Sequence, residues 1–114
     1  MKTEIYELPQ GRIGIFHSDK NLSFGFLELE ENQELNKHSR PVDEELIQIK
    51  GISEITLFEE TETKTIMLKE GEKIIIPANT EHIHANKMNE KSLTFWKFEG
   101  DITEIIDKIR EANK

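Results

Sequence analysis

Apolar and polar residues alternate in short runs along most of the chain, which is the pattern of β-strands with one buried face. Gly, Pro, Asn and Asp residues separate the runs and predict turns between them. The pattern predicts strands at residues 3–8, 12–17, 22–30, 45–50, 52–59, 65–68, 73–76, 82–86 and 92–98. Strands this short and this closely spaced favour an antiparallel sandwich or barrel.

The pattern changes near the C-terminus, where isoleucines recur at i, i+3, i+4 and i+7. This spacing predicts a short amphipathic helix at about residues 101–112, with Asp101 and Glu104 near its N-terminus as capping groups. We expect the isoleucine stripe to pack on the outside of the sheet. A length of 114 residues favours a single domain, residues 1–114, with its barrel core at about 12–98.

Charge and composition exclude several classes of function. The chain has 15 Lys and Arg against 23 Asp and Glu, a formal net charge of −8, which argues against binding to nucleic acid or to an anionic membrane surface. It contains no Cys, so neither disulfides nor thiolate metal sites are possible. The first ten residues lack the apolar run of a signal peptide, and no apolar run approaches the ~20 residues that span a bilayer. These features predict a cytoplasmic protein.

The candidate chemistry lies in two segments, residues 38–51 and 71–86. In the second, His82 and His84 fall on one face of a predicted strand because strand side chains alternate. The first segment begins with His38 and carries Glu44 just before a strand. Neutral imidazole and carboxylate are common ligands of divalent transition metals. A single His on a strand is usually just hydrogen-bonded, and His17, beside a turn, is interpreted in that way.

The spacing within the second segment is specific. Gly71, Pro77, His82 and Asn86 are spaced as in G-x5-P-x-G-x2-H-x3-N, with Asn79 at the second Gly position. This resembles the second motif of the cupin superfamily.

The first segment resembles the other cupin motif, G-x5-H-x-H-x(3,4)-E-x6-G. His38, Glu44 and Gly51 match it, whereas Asn32 replaces the leading Gly and Arg40 replaces the second His. Nineteen residues separate the two motifs, and the resemblance covers residues 22–98. It implies a small single-domain cupin, an all-β antiparallel jelly-roll barrel with a C-terminal helix.

The resemblance also implies a site. His38, Glu44 and His82 match three of the four usual cupin metal ligands and would hold Fe, Mn, Ni or Zn. Arg40, at the fourth position, offers no lone pair. In one interpretation Arg40 clamps a small anionic substrate, and His84 is a fourth ligand or an acid/base. In the other, Arg40 forms a bidentate salt bridge with Glu44, and the pocket binds a small molecule without metal.

Three further expectations concern activity, assembly and neighbouring residues. The resemblance is compatible with a metal-dependent enzyme and with a non-catalytic sensor or storage module. Small cupins often pair through their N-terminal strands, so residues 3–8 predict a homodimer. We expect Asp43 to be at best a partner of His38, Glu45 to point away from Glu44, and Asn86 to tie down strand ends.

Overall fold

The computed structural model describes residues 3–113, so the ends of the predicted domain, residues 1, 2 and 114, lie outside the described residues. It contains strands and one helix close to the predicted positions. The elements are β1 Glu4–Leu8, β2 Gly11–Ser18, β3 Ser23–Leu29, β4 Gln33–Glu34, β5 Glu44–Lys50, β6 Ser53–Phe58, β7 Thr63–Leu68, β8 Lys73–Ile76, β9 Glu81–Asn86, β10 Ser92–Phe98 and α1 Thr103–Ala112.

The strands form two antiparallel sheets in the described residues. The larger has the order β1-β2-β3-β10-β5-β8, and the smaller has the order β4-β9-β6-β7. The ladders do not close into a continuous ring, so the predicted barrel is a pair of sheets of the jelly-roll type. The two-residue strand β4 was not predicted, because it is polar, exposed and too short to show a period.

The core lies between the sheets and is built by alternation. In β3 and β10 every second residue is buried, as the period of a strand requires. Trp96 and Phe98 therefore face inward, whereas Phe95 faces outward. The buried apolar cluster comprises Ile15, Leu27, Leu29, Leu46, Ile55, Leu57, Leu68, Ile76, Trp96, Phe98, Ile102 and Ile106.

A buried polar network also joins the two sheets. Ser53 Oγ, on the smaller sheet, lies 2.7 Å from Ser92 Oγ and 2.9 Å from Thr94 Oγ1, both on the larger sheet. The hydroxyl of Thr94 donates to Gln48 Oε1 (2.7 Å), and Gln48 Nε2 donates to Ser92 Oγ (3.0 Å). These polar groups satisfy one another, which is the condition for burying them.

The C-terminal helix forms as predicted but packs on a different face. The N-cap residue is Ile102, without a side-chain capping bond, so the predicted capping pair of Asp101 and Glu104 is not formed. Asp101 Oδ1 instead accepts from the backbone amide of Thr103 (2.9 Å), just after the N-cap. Ile106 is 1% exposed and belongs to the core cluster with Trp96 and Phe98. The expectation that the isoleucine stripe packs outside the sheet was wrong, because the space beside the inner face of the large sheet accommodates it.

Candidate metal centre

A short backbone bridge brings the two sequence motifs together. The amide of His38 donates to His82 O (3.0 Å), and the amide of His82 donates to His38 O (2.8 Å). A second bond, from the amide of Asn79 to Arg40 O (2.7 Å), lies close by. These bonds hold the loop between β4 and β5 beside β9, so the imidazole of His38 lies next to those of His82 and His84.

Strand geometry places the other members of the site. Glu44 is the first residue of β5, and its inward-facing side chain is 7% exposed. His82 and His84 occupy alternate positions of β9, and both are buried. The prediction that these two residues share a face is therefore confirmed.

The four side chains converge. One potential ligand atom from each of His38, Glu44, His82 and His84 lies within 4.8 Å of all the others. The ring centroids of His38 and His82 are 4.4 Å apart, and that of His84 lies 4.9 Å from His82. Three imidazoles and a carboxylate at such distances are a donor set that suits Fe, Mn, Ni or Zn.

Hydrogen bonds orient two of the rings. His38 Nδ1 lies 2.9 Å from Asn36 O, and His82 Nδ1 lies 2.8 Å from Thr80 O. A carbonyl oxygen only accepts, so each Nδ1 carries the proton and donates it. In a neutral ring the Nε2 lone pair is then free, which is the arrangement of metal-binding histidines.

The contact between His82 and Glu44 fits a cation. His82 Nε2 and Glu44 Oε1 are 3.1 Å apart, yet both atoms are buried and neither has a hydrogen-bond partner among residues 3–113. When the ring of His82 is neutral, with its proton on Nδ1, two lone pairs face each other across this contact, which is unfavourable unless a cation lies between them. Glu44 Oε2 lies 3.6 Å from His84 Nε2, so the carboxylate faces both imidazoles of β9. The residues present thus fit a divalent metal.

The pKa shifts favour the same protonation states. Burial first, and then the positive charge of Arg40, lower the pKa of His38 to about 4, so its ring is neutral near pH 7. Burial alone would raise the pKa of Glu44, but the close imidazoles of His84 and His82 outweigh burial and lower that pKa. The site therefore offers a carboxylate and at least one neutral imidazole.

Arg40 lines the same cavity as His38, Glu44 and His84. Within residues 3–113 its guanidinium has no carboxylate oxygen within 4.0 Å, and its one hydrogen bond is to Ser39 O (3.3 Å). The bidentate pair with Glu44, considered from the sequence, is therefore not formed. A half-buried cation, attracted by the charge of Glu44 but not in salt-bridge contact with it, remains beside the cluster.

The motif positions that usually hold Gly have a common backbone conformation. Asn32 and Asn79 have φ of 56° and 65°, and Gly51 and Gly71 have φ of 74° and 83°. Asn is the residue that adopts the left-handed region most readily after Gly. The two replacements of Gly by Asn thus preserve the turns.

The neighbouring residues have other tasks. Asp43 Oδ1 accepts from the Ala78 amide (2.7 Å), so the expectation of a contact with His38 is replaced by a tie between loops. Glu45 faces outward to Lys73 and Lys97, as predicted. The side-chain amide of Asn86 (Nδ2) donates to three backbone carbonyls and so ties strand ends, as predicted.

His17 is exposed and lies 2.8 Å from Asp19, which confirms its separation from the cluster. Two groups near the site were missed. Trp96 borders the cavity and its buried Nε1 has no acceptor among the described residues. Ile105 and Ile109 of α1 border it as well. The helical spacing of these isoleucines predicted that they are buried, but it did not predict which part of the protein they pack against.

Comparisons with known proteins identify solved structures with a similar fold. No family model matches the chain, and no curated protein matches it. Similar solved structures include vicilin from hazelnut, Corylus avellana, at 20% identity and TM-score 0.75, covering 86% of this chain and 31% of that one. Oxalate decarboxylase from Bacillus subtilis, a structure concerned with its Mn(II) centres, has 15% identity, TM-score 0.79 and coverage of 89% and 28%. A conserved protein of unknown function from Streptococcus pyogenes has 23% identity, TM-score 0.64 and coverage of 75% and 70%.

The fold and the site together define a jelly-roll protein with a cluster of three histidines and one glutamate between its sheets. Vicilin and oxalate decarboxylase are cupin-fold proteins, and the chain has the cupin fold that its motifs predicted. It spans less than a third of the length of these two proteins. No helix within residues 3–113 combines the length and apolar character needed to cross a membrane.

Proposed function

We propose that the cluster binds a divalent transition metal and that the protein acts on a small anionic metabolite. The observation that carries this proposal is the 3.1 Å approach of His82 Nε2 to Glu44 Oε1, two buried atoms without hydrogen-bond partners. His38, Glu44 and His82 are the proposed ligands, and His84 is the fourth ligand or an acid/base. The manganese centres studied in the similar B. subtilis decarboxylase agree with such a site.

A bound metal would act as a Lewis acid or oxygen activator for a ligand beside it. The residues of the chain do the remaining work. The carbonyls of Asn36 and Thr80 fix the rings of His38 and His82, and Arg40 supplies a positive charge toward an anion. If His84 does not bind metal, its ring is placed to hold a proton beside Glu44.

Metal analysis tests this proposal directly. Protein purified without chelator should contain close to one Fe, Mn, Ni or Zn per chain, and His82→Ala should lose it. His17→Ala is the matched control, because His17 is an exposed histidine paired with Asp19 away from the cluster. If the purified protein contains no metal and takes up none of the four ions when they are added, the metal proposal is refuted, and the alternative of a binding module without metal is left.

We also propose a homodimer and a cytoplasmic location. β1 forms one edge of the six-stranded sheet, and β2 alone pairs with it among the described strands. Ile5 on this strand is 51% exposed. A second copy that adds its own β1 would satisfy this edge. Light scattering coupled to size-exclusion chromatography should give about twice the chain mass of 13.3 kDa, and a monomer at micromolar concentration would refute the dimer.

A further inference from the structure

A small cavity connects the histidine cluster to the C-terminal helix. It measures about 60 Å³, and its wall is mainly apolar. His38, Arg40, Glu44 and His84 form its polar side. Ile105 and Ile109, from one face of α1, form part of its apolar side. Any ligand beside the cluster is therefore also beside this helix.

The helix is attached both through its buried face and through its last turn. Ile106 is part of the core, 1% exposed. In the last turn Arg110 makes a bidentate contact with Glu4 of β1, with both N–H···O distances 2.8 Å. Such fork-to-carboxylate pairs fix orientation as well as adding energy. Ile105 and Ile109 thus belong to an ordered wall.

The charges at the polar side favour an anion. Glu44 contributes −1 and Arg40 contributes +1, so a divalent metal would leave a net charge of about +2 with neutral imidazoles. Arg40 has no carboxylate partner in the described part of the chain. Trp96 also borders the cavity, and its buried Nε1–H has no acceptor within residues 3–113. An oxygen-bearing anion in the cavity would give the guanidinium of Arg40 a counter-charge within it.

The size and the apolar wall restrict that anion. The volume of about 60 Å³ exceeds the roughly 10–15 Å³ that one water needs, so the cavity has room for a small ligand of a few non-hydrogen atoms. A second carboxylate at the far side would be placed against isoleucine side chains, where a charge is strongly unfavourable. The wall therefore selects for an uncharged tail.

We propose that the natural ligand is a short aliphatic monocarboxylate, with its carboxylate toward Arg40 and the metal and its chain against Ile105 and Ile109. This inference rests on the proposed metal site and adds the ligand class and two specificity-determining residues on α1. Those residues set the length of the chain that fits.

Calorimetric titration of metal-loaded protein tests the inference with butyrate, succinate and hexanoate. Butyrate, with six non-hydrogen atoms, should bind at least tenfold more tightly than either of the others. In Ile109→Ala, the ratio of butyrate affinity to hexanoate affinity should fall by about tenfold. Lys108→Ala is the control, since that side chain is exposed on the same helix. Ile105→Ala provides a second enlargement should Ile109→Ala not fold.

The outcomes separate the two proposals. Metal content is measured on the same samples, so protein without metal refutes the proposed function, and its butyrate titration still tests the helix wall. Succinate binding as tightly as butyrate would overturn the inference. An unchanged preference for butyrate over hexanoate in the folded isoleucine variants would also overturn it. A loss of butyrate binding in Lys108→Ala as large as that in Ile109→Ala would do the same.

Discussion

Replacing Arg40 by Met should change metal binding and anion binding in opposite directions. Arg40 lies on the same cavity as Glu44 and His84, and its charge contributes to the lowered pKa of His38. Met keeps an unbranched chain and removes the charge. A metal held by the cluster loses a repulsive neighbour, whereas a carboxylate in the cavity loses an attractive one.

The magnitude follows from Coulomb's law. For an assumed separation of ~7 Å, a unit charge and a divalent charge repel by about 1 kcal/mol at the dielectric constant of water and by about 2 kcal/mol at an effective value near 40. A half-buried group lies between these environments. We therefore expect metal to bind about 5- to 30-fold more tightly to Arg40→Met. Butyrate should bind the metal-loaded variant at least tenfold more weakly, since a charge-assisted contact is lost.

Competition with a chelating dye in low-chloride buffer measures the metal affinity, and calorimetry measures that of butyrate. Arg12→Met is the matched control, because Arg12 is paired with Glu28 away from the cavity. An equal or weaker metal affinity in Arg40→Met would refute the electrostatic argument. Weakening of both ligands together would indicate a structural role for Arg40 instead.

Three more predictions concern stability. With chelator present, the free energy of unfolding should fall as the pH drops from about 6.5 toward 4, because His38 binds a proton in the unfolded chain but, with its pKa lowered to about 4, stays neutral in the folded protein. The midpoints of urea unfolding at several pH values should show this fall, and His38→Gln should reduce the pH dependence of the midpoint. Thr94→Val should cost about 1–3 kcal/mol in urea unfolding, since it leaves the buried Oε1 of Gln48 without its donor and removes one of the two hydroxyl contacts of Ser53; no loss would contradict the network. Asn79→Ala should cost about 1 kcal/mol while Asn79→Gly does not, because φ there is 65°; equal losses would exclude a backbone cause.

Much of the fold was accessible from periodicity, because each sheet has one buried face. The positions of the strands follow from that periodicity, but the inner face does not. In β3 and β10, Ser23, Ser92 and Thr94 are buried, whereas Phe24, Phe26 and Phe95 alternate with them on the outer face. In β9 the inner face carries the polar residues His82 and His84. The division into two sheets was not accessible in the same way. It depends on pairings between strands far apart in the chain, such as β10 with both β3 and β5. Local patterns carry no information on such partners.

The site was predicted unevenly for a similar reason. His82 and His84 share a face by strand geometry alone. His38 enters the site only through its backbone bridge to His82, and the motif spacing, rather than any periodicity, indicated that. The position of α1 was predicted wrongly, since a stripe of isoleucines shows that a face is buried but leaves open what covers it.

The metal, if bound, is not what holds this fold together. The rings of His38 and His82 are oriented by carbonyls only two residues away in sequence, so each Nε2 is presented by local backbone geometry. The apolar cluster and the polar network of Gln48 and Thr94 join the two sheets without any of the four candidate ligands. A centre prepared in this way spends little free energy on ordering its ligands when a metal binds. Its buried carboxylate is better explained by chemistry than by stability, because an apolar residue at position 44 would serve a purely structural core at lower cost.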